Sequence, residues 1–534
     1  MNALPRHFWA KSGILTGNAG QAPFYHHPNQ LSSKNLSLNI TMAQNLSFIN
    51  DMLSIEILGY IFQLNSEMGG DDAYKKLTNS SDPSIAFLTL LRSSRVCSLW
   101  REIIINSPLL WGSVVNLNSF EARVDPQRWE TLLMRTENAP LYLRAKVIPQ
   151  NCGLIFPFLI SVLERYWERM VSFDVSDHGM RNSPLAQMIP IFSQRAPLLV
   201  SFMIDSISSI ETGFFPSMTL FSNHAPRLLN FSFESIKIDL HASWGSQIRN
   251  LTIRNTRPSF DPIELLRNLS RLPLLESLVL YFVFIESARS EGAAALSTPI
   301  HLPNLQYLQV NDNILAIRFL GNLMVDPGCC LLLETAFYPE VNDDPLTLLE
   351  CTNIVGHYAQ VYFEKHPVYT LSVNVCKLRS FIEEDPTSSN GFLAEIVTPQ
   401  PLNILEILKL CQCSSVKILE LWVENFDLAP TPIPMPFARL FLNVEVLETS
   451  PYTLDLCFNP KNVDSVDLIL PALRELRLEV HEASTSIPLL MDFFAVRKEQ
   501  NLPMPFLHLH LRRHVHIDPA SLAEVLGLSL SKST

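Results

Sequence analysis

The chain contains 534 residues, of which 47% are hydrophobic and 17% are charged, and it carries a net charge of −12 at pH 7. This length exceeds one ordinary hydrophobic core and predicts several domains or a solenoid, while the acidic charge argues against a nucleic-acid ligand. The sequence shows no run of about twenty apolar residues, no signal-peptide core and no disulfide framework among its nine cysteines, which predicts an intracellular protein, cytoplasmic and/or nuclear, away from membranes.

Residues 1–45 are expected to form a flexible N-terminal arm, since they include a Ser/Asn-rich stretch before any clear helical pattern. The first helix is predicted over Leu53–Phe62, where apolar residues recur at helical spacing. Asp51 or Ser54 is available near the start of this helix as an N-cap.

The polar stretch at 67–83 contains a Gly-Gly and an Asp-Pro pair, and it is predicted to be a loop. The apolar pattern resumes at helical spacing over 84–104 and is expected to end at Ser107-Pro108, because proline disfavours helix at the residue before it. Residues 46–115 are therefore expected to form a helical domain. Because two or three helices of this length are marginal alone, a partner or the following repeats should stabilise them.

Three blocks of this helical segment resemble the F-box. Residues 53–58 read LSIEIL and, together with Ile61-Phe62, are similar to the opening F-box helix, usually Leu-Pro-x-Glu-Ile-Leu-x-x-Ile-Phe. Residues 96–103 read VCSLWREI and match the Val-Cys-x-x-Trp-Arg signature, and residues 107–111 read SPLLW, like the closing Ser/Thr-Pro-x-Leu-Trp. The chain departs from the family at Ser54, where proline is usual, and in its long loop at 64–84.

The resemblance implies a binding partner. F-boxes dock through an apolar helix face onto the Skp-type adaptor of cullin–RING ubiquitin ligases. By that resemblance, the adaptor contacts are Leu53, Ile57, Leu58, Ile61, Val96, Trp100 and Leu109, although some of these must belong to the internal core. The alternative interpretation of residues 96–111 is an amphipathic helix whose two tryptophans only fill a local core.

Residues 116–165 are expected to hold a linker helix and the first repeat. Asp125 and Pro126 supply a cap and a first-turn proline for that helix. Residues 129–143 are similar to the segment that follows the F-box in the fungal-type branch of the family. This similarity extends the resemblance beyond the helical domain.

One phrase, Pro-x-Leu-x-x-Leu-x-Leu with apolar substitutions, recurs through the rest of the chain. Copies with the proline begin at Pro197, Pro226, Pro273, Pro303 and Pro471, and copies without it lie at 170–175, 248–253 and 418–423. The first six are spaced by about twenty to thirty residues, which is leucine-rich-repeat spacing. The consensus asparagine of such repeats is present once, at Asn313.

Helix signals lie between these copies. Asp261 is predicted to cap one helix, with Glu264 placed for a capping box. The other helix signals lie at 314–325, 402–410, 487–497 and 518–526. Strands alternating with helices predict an α/β fold, with the N-terminal helical F-box followed by an irregular leucine-rich-repeat solenoid over 166–534. Its parallel strands are expected on the concave side and its helices outside.

The repeat array is expected to be irregular at 326–400, where the phrase is not found. A strand is predicted at 368–375, and loops are predicted at 339–345 and 383–390. The array is expected to bend or to carry insertions there.

If the leucines of each strand point inward, alternation places their polar neighbours on the concave face. These neighbours include Asn230, Ser232, Glu234, Asn250, Thr252, Arg254, Glu420, Glu475 and Glu479. The candidates for binding a target protein are Tyr307, Gln309, Asn311, Trp422, Glu424 and Arg477. The simpler interpretation of each residue is a solvated sheet surface.

The sequence shows no motif of catalysis, cofactor binding or metal binding. It has only 17 glycines and no phosphate-cradling loop, Gly-x-Ser-x-Gly elbow or His-Glu-x-x-His. Cys411 and Cys413 lack a second ligand pair at zinc-site spacing and are expected to be packing residues. His508 and His510 are more typical of an exposed strand edge than of a metal site. We expect a protein that is not an enzyme and has no cofactor or metal.

These features favour a substrate-recognition adaptor subunit of a Skp–cullin–F-box ubiquitin ligase. In that family the F-box docks to the Skp adaptor on the cullin scaffold, and the repeats bind a target protein. The alternative is a ligase-independent leucine-rich-repeat scaffold for protein binding, whose F-box-like helices serve as an N-terminal cap.

Overall fold

The structure, a computed structural model, divides the chain into two compact units, residues 1–61 and 62–534. The residues that it describes are 52–66, 84–117, 126–148, 152–177, 185–206, 219–234, 240–254, 260–284, 299–313, 315–336, 345–376, 379–384, 391–397, 404–411, 413–423, 440–458, 470–480, 483–502 and 505–511. The predicted arm at 1–45 and the last predicted helix at 518–526 lie outside them.

Thirteen α-helices are present in the described residues. They are α1 Ile55–Ser66, α2 Ser84–Ser93, α3 Ser98–Ile105, α4 Pro108–Ser113, α5 Pro126–Arg135, α6 Cys152–Tyr166, α7 Leu185–Phe192, α8 Pro262–Leu269, α9 Leu315–Gly321, α10 Pro345–Lys365, α11 Ile404–Leu410, α12 Pro451–Phe458 and α13 Ala483–Glu499. Helix α1 begins in the first unit and ends in the second. None of the described helices is long and apolar enough to cross a bilayer.

The strands of the described residues all lie in the second unit. They are β1 Val115–Asn116, β2 Leu141–Val147, β3 Met170–Asp177, β4 Ser201–Ser206, β5 Asn230–Glu234, β6 Asn250–Arg254, β7 Ser277–Tyr281, β8 Ile300–Leu302, β9 Tyr307–Asn313, β10 Leu323–Val325, β11 Cys330–Ala336, β12 Thr370–Cys376, β13 Arg379–Glu384, β14 Leu393–Val397, β15 Ile418–Val423, β16 Val446–Thr449, β17 Glu475–Val480 and β18 Phe506–Leu511.

Sixteen of these strands form one sheet in the order β1-β2-β3-β4-β5-β6-β7-β9-β11-β14-β13-β12-β15-β16-β17-β18, and β8 pairs with β10 in a separate two-stranded sheet. All neighbouring pairs of the large sheet are parallel except those that β13 makes. Helices or short helical turns connect most consecutive parallel strands, as parallel pairing requires a crossover. The fold is therefore mixed α/β with a large parallel sheet.

Alternating apolar residues form one buried face of this sheet. Leu278 and Leu280 of β7 pair in register with Leu308 and Val310 of β9, and all four side chains are fully buried. Side chains of a strand point alternately to its two faces, so the leucine spacing of the repeated phrase directs every second residue into this core. Burial of each such side chain stabilises the fold by roughly 1.5–3 kcal/mol.

A backbone hydrogen-bond pattern repeats just before the strands. The carbonyl of Leu229 accepts from the amides of both Arg249 and Asn250, at 2.9 and 3.0 Å. The same double acceptance is made by the carbonyls of Val200, Arg249, Glu276, Tyr369, Lys417 and Glu445. Because each carbonyl binds the segment that enters the next strand, these bonds fix the register from one strand to the next.

Aromatic side chains fill the core beneath β3 to β6. The Trp167 ring lies 5.5 Å from that of Phe192, and the Trp244 ring lies 4.9 Å from that of Phe231. Phe202 stacks between Phe173 and Phe231 on neighbouring strands, at 5.4 and 5.7 Å. Aromatic pairs at these separations stabilise the fold beyond the burial of their apolar area. Their preferred ring geometries also fix how the side chains pack in this part of the core.

The parallel order is interrupted within residues 326–400. The 21-residue helix α10 follows β11, and β12 then pairs antiparallel with β13, which pairs antiparallel with β14. Strand β14 returns to pair in parallel with β11. The loop predicted at 383–390 is wrong at its first two residues, because β13 extends to Glu384 as the middle strand of this reversal.

The helix predicted at 314–325 is correct only in its first part. Asn313 Oδ1 accepts from the Leu315 amide and caps α9, which ends at Gly321. Residues 323–325 instead form β10, whose Leu323 pairs with Ile300 of β8. The apolar run therefore contains a helix and a strand, and the pairing with a distant segment decides its second half.

Candidate protein-interaction sites

Helix α1 begins at a serine N-cap. The Ser54 hydroxyl accepts from the Ile57 amide at 3.4 Å, and the Ser54 carbonyl accepts from the Leu58 amide at 3.0 Å. The same hydroxyl bonds to the Glu56 carboxylate and holds the pKa of that group below its usual value. Ser54, which stands where the F-box pattern has proline, thus starts the helix by capping it.

The part of α1 in the first unit exposes large apolar side chains. Ile57 is 49% exposed and Ile61 is 37% exposed, and Ile55 and Tyr60 are more exposed than either. Leu58 is buried at 2% exposure, and Leu53 is half-buried. Ile57 and Ile61 are therefore exposed apolar positions, whereas Leu58 is a core residue and leaves the set of candidate contacts.

Helix α3, in the second unit, is held at its start by a sulfur cap. The Trp100 amide donates to Cys97 Sγ at 3.4 Å. The half-buried Trp100 ring packs edge-on against Phe62 with their centroids 5.1 Å apart. Among the candidate contacts, Trp100 thus contributes to a local core as well as to the surface.

The closing SPLLW block forms α4 and divides into buried and exposed residues. Trp111 is buried, its indole Nε1 donates to the Ile104 carbonyl at 2.8 Å, and the Arg135 guanidinium lies 4.9 Å over its ring. Leu109, by contrast, is 61% exposed, and Val96 is 41% exposed. The block therefore anchors α4 through Trp111 and presents Leu109 to solvent.

A glycine allows α4 to approach the chain that enters β2. A Cβ atom placed on Gly112 would lie 2.3 Å from the Pro140 carbonyl oxygen, far inside van der Waals contact. Gly112 itself is buried. Only glycine fits this contact, so it fixes the position of α4 against the chain that enters β2.

The outer face of the large sheet, opposite the leucine core, carries the candidate target contacts. Tyr307, Gln309 and Asn311 of β9 are half-buried and share this face. The Tyr307 hydroxyl donates to Gln309 Oε1 at 3.0 Å, and Asn311 Nδ2 donates to Glu334 on β11. These bonds between neighbouring side chains hold the polar groups of β9 in place.

Two of the remaining target candidates lie on β15 and β17. Trp422 is half-buried, and Arg477 donates from Nε to Glu475 Oε1 at 2.7 Å. Arg477 also lies 3.7 Å from Glu448, and the bond to Glu475 raises the pKa of the guanidinium. Glu424 lies outside the described residues.

The centre of the outer face is more buried than the sequence predicts. Ser232, Glu234 and Thr252 were expected to be exposed polar neighbours of the leucines, but each is at most 5% exposed. Adjacent strands lie about 4.8 Å apart, so side chains on the flanking strands cover these residues. The prediction of exposure is therefore wrong for these three residues.

Two outer-face residues, one on β11 and one on β14, were not predicted from the sequence. Glu334 and Glu395 are paired in register, and both are half-buried. They belong to the segment without the repeated phrase, so only strand pairing brings them together. Glu334 alternates with the buried apolar residues of β11, and this alternation is the one sequence feature that indicates that Glu334 lies on the outer face.

Cys329, Cys351, Cys411 and Cys413 are buried and form no disulfide bond. Burial raises the pKa of Cys329, Cys351 and Cys413 to about 12, well above the value of a free thiol. Among the residues that the structure describes, no group of three His, Cys, Asp or Glu side chains is placed to hold a metal ion.

No protein-family model matches the sequence, and no curated protein matches it.

Proposed function

We propose that this chain is the substrate-recognition subunit of a Skp–cullin–F-box ubiquitin ligase. The observation that carries the proposal is the exposure of large apolar side chains at positions that the F-box-like blocks provide. Ile57 and Ile61 are such positions in the first unit, and Val96 and Leu109 are such positions in the second. Large apolar side chains left in water favour a protein partner.

The same blocks also supply the residues that hold the local structure. Ser54 caps α1, Cys97 caps α3, and Trp111 is buried with its indole hydrogen-bonded. A docking surface requires that the segment is folded and that its remaining apolar side chains are exposed. This combination supports the ligase subunit over a scaffold in which the apolar residues only cap the repeats.

The proposal assigns target binding to the outer face of the sheet. We regard the sequential parallel strands, with their repeated carbonyl bonds, as an irregular leucine-rich-repeat solenoid. Tyr307, Gln309, Asn311, Trp422 and Arg477 are the target contacts on it. The chain then acts inside the cell by raising the effective concentration of a target near the ubiquitin-loaded enzyme, and it performs no chemistry itself.

Co-purification with a Skp-type adaptor tests this proposal. The variant Ile57→Asp places a charge on an exposed apolar position of α1, and it is expected to weaken adaptor binding at least about tenfold because a desolvated carboxylate is costly in an apolar interface. Leu349→Asp is the matched control, since Leu349 is 57% exposed on α10, outside the F-box-like blocks.

Each variant should keep the wild-type circular dichroism and melting temperature, which excludes unfolding as the cause of lost binding. Trp100→Ala is a weaker test, since Trp100 packs against Phe62 and its loss affects folding. If the folded wild-type protein binds no adaptor, or if Leu349→Asp weakens binding as much as Ile57→Asp, the ligase subunit is rejected and a repeat scaffold becomes the better account.

A further inference from the structure

In its middle strands, the outer face of the sheet carries more carboxylates than guanidinium groups among the described side chains. From β4 to β16, the half-buried strand side chains that the structure describes on this face include five carboxylates and one guanidinium. The carboxylates are Asp205, Glu334, Glu395, Glu420 and Glu448, and the guanidinium is that of Arg254. A sixth carboxylate, Glu234, is buried on the same face. Such a surface attracts cationic groups and repels nucleic acid and anionic lipid.

Strand register brings part of this charge into one line. Glu234, Arg254, Tyr281 and Asn311 are paired in register from β5 to β9. The line continues through Glu334 and Glu395 on β11 and β14. Because neighbouring parallel strands lie about 4.8 Å apart, the line runs across the strands as a continuous row of side chains.

One guanidinium group of the chain itself is bound within this row. Arg254 lies 5.3 Å over the ring of Tyr281, and its Nη1 lies 3.4 Å from Asp205 Oδ2. An aromatic ring and a carboxylate therefore bind a guanidinium together on this face. Planar stacking on the ring favours arginine over lysine, whose compact ammonium ion cannot stack in the same way.

The same two chemical groups recur further along the sheet. Trp422 and Glu420 lie two residues apart on β15, so their side chains share the outer face, and Glu448 of β16 is paired in register with Glu420. Trp422 is half-buried. Among the described residues, no guanidinium lies over the Trp422 ring, in contrast to Tyr281.

We propose that the outer face of the sheet binds an arginine-containing, positively charged segment of the target protein, with one guanidinium stacked on Trp422 beside Glu420. This proposal rests on the proposed function, because it names the chemistry of the target that the ligase subunit recognises. The carboxylates at Glu334 and Glu395 bind further cationic side chains of the same segment. The occupant is a polypeptide, since a row of charges that crosses several strands matches a chain with repeated side chains.

The first test uses three labelled peptides and the full-length protein. In the first peptide arginine alternates with serine, in the second lysine replaces arginine, and in the third the uncharged isostere citrulline replaces it. The arginine peptide should bind about two- to fivefold more tightly than the lysine peptide, the effect of one partly exposed stacking contact. The citrulline peptide should not bind. Equal binding of the arginine and lysine peptides would overturn the assignment of a guanidinium site.

Variants of the protein then locate the site. Trp422→Leu should remove the preference for arginine over lysine while leaving binding of the lysine peptide unchanged. Glu334→Gln combined with Glu395→Gln should weaken both charged peptides by about three- to tenfold, the effect of two partly exposed ion pairs. Anisotropy titrations at low and physiological salt measure both effects, and salt should weaken binding.

The matched control removes two carboxylates elsewhere. Glu168 and Glu499 are exposed and lie outside the sheet strands, so Glu168→Gln combined with Glu499→Gln changes the net charge equally. If this control weakens binding as much as the variant at 334 and 395, the peptide is attracted only by the overall charge of −12 and the site is rejected. Adaptor binding measured on the same samples separates this outcome from failure of the ligase assignment.

Discussion

At the scale of single residues, close packing makes Gly112 the most restrictive position of the described helices. We expect Gly112→Ala to lower the free energy of unfolding by about 1–3 kcal/mol or more, because its Cβ would overlap the Pro140 carbonyl oxygen 2.3 Å away. Gly153→Ala is the control, since a Cβ there meets no atom within 4 Å. Urea unfolding of both variants measures the difference, and an unchanged midpoint for Gly112→Ala would contradict the contact.

A second residue-scale prediction concerns the buried Asp312. Its carboxylate accepts from the amides of Val283 and Phe284, which follow the neighbouring strand β7. Asp312→Ala leaves two buried donors without an acceptor, so we expect a loss of about 2–4 kcal/mol. Asp312→Asn keeps an acceptor oxygen and should lose less. Asp326→Ala, at an exposed position, should leave the urea midpoint unchanged, and an equal loss there would rule out this explanation.

At the scale of elements, helix α8 depends on its N-cap. Asp261 Oδ1 accepts from the amides of Ile263 and Glu264 at 2.9 and 3.0 Å, which confirms the cap predicted from the sequence. Asp261→Ala should lower stability by about 1 kcal/mol, whereas Asp261→Asn should be close to wild type because asparagine caps as well as aspartate. Thermal unfolding of the two variants decides the point, and equal losses would show that the side-chain acceptor is irrelevant.

The reversal of β12, β13 and β14 is also an element-scale feature. A parallel pair needs a crossover connection, whereas an antiparallel pair needs only a short turn. Strands β12 and β13 are separated by two residues, so their antiparallel pairing follows from the short connection. The sheet continues through this reversal, because β14 pairs with β11 on one side and β12 pairs with β15 on the other.

At the scale of the whole molecule, the reactivity of the buried thiols measures how well the core of the second unit is folded. Cys329, Cys351 and Cys413 lie in successive parts of the second unit, and burial raises their pKa to about 12. Only the thiolate reacts with iodoacetamide, so at pH 8 these cysteines should be alkylated far more slowly than the half-buried Cys97. Their alkylation should accelerate as the pH rises toward 12 and when denaturant unfolds the sheet.

Mass spectrometry after timed alkylation measures these rates residue by residue. A denatured sample provides the control, because all four thiols should then react alike. Alkylation of Cys351 or Cys413 in native protein as fast as that of Cys97 would show that the core around α10 and α11 opens readily.

The sequence by itself determined the local elements and the class of fold. Helical spacing identified α1, and the repeated leucine phrase identified β4 to β7, because burial of one face imposes a period of 3.6 or 2 on the residues. The cap at Asp261 was also predictable, since a cap acts on amides two and three residues away. These features depend on residues that are close in the chain.

Only the tertiary structure decided which residues of those elements reach solvent. Leu58 and Ile57 are neighbours in one helix, yet the first is buried and the second is exposed. Ser232 and Thr252 have an exposed pattern in sequence and are covered in the sheet, while Glu334 and Glu395 are brought together by strands about sixty residues apart. Burial and register depend on the pairing of distant segments, and no local period records that pairing.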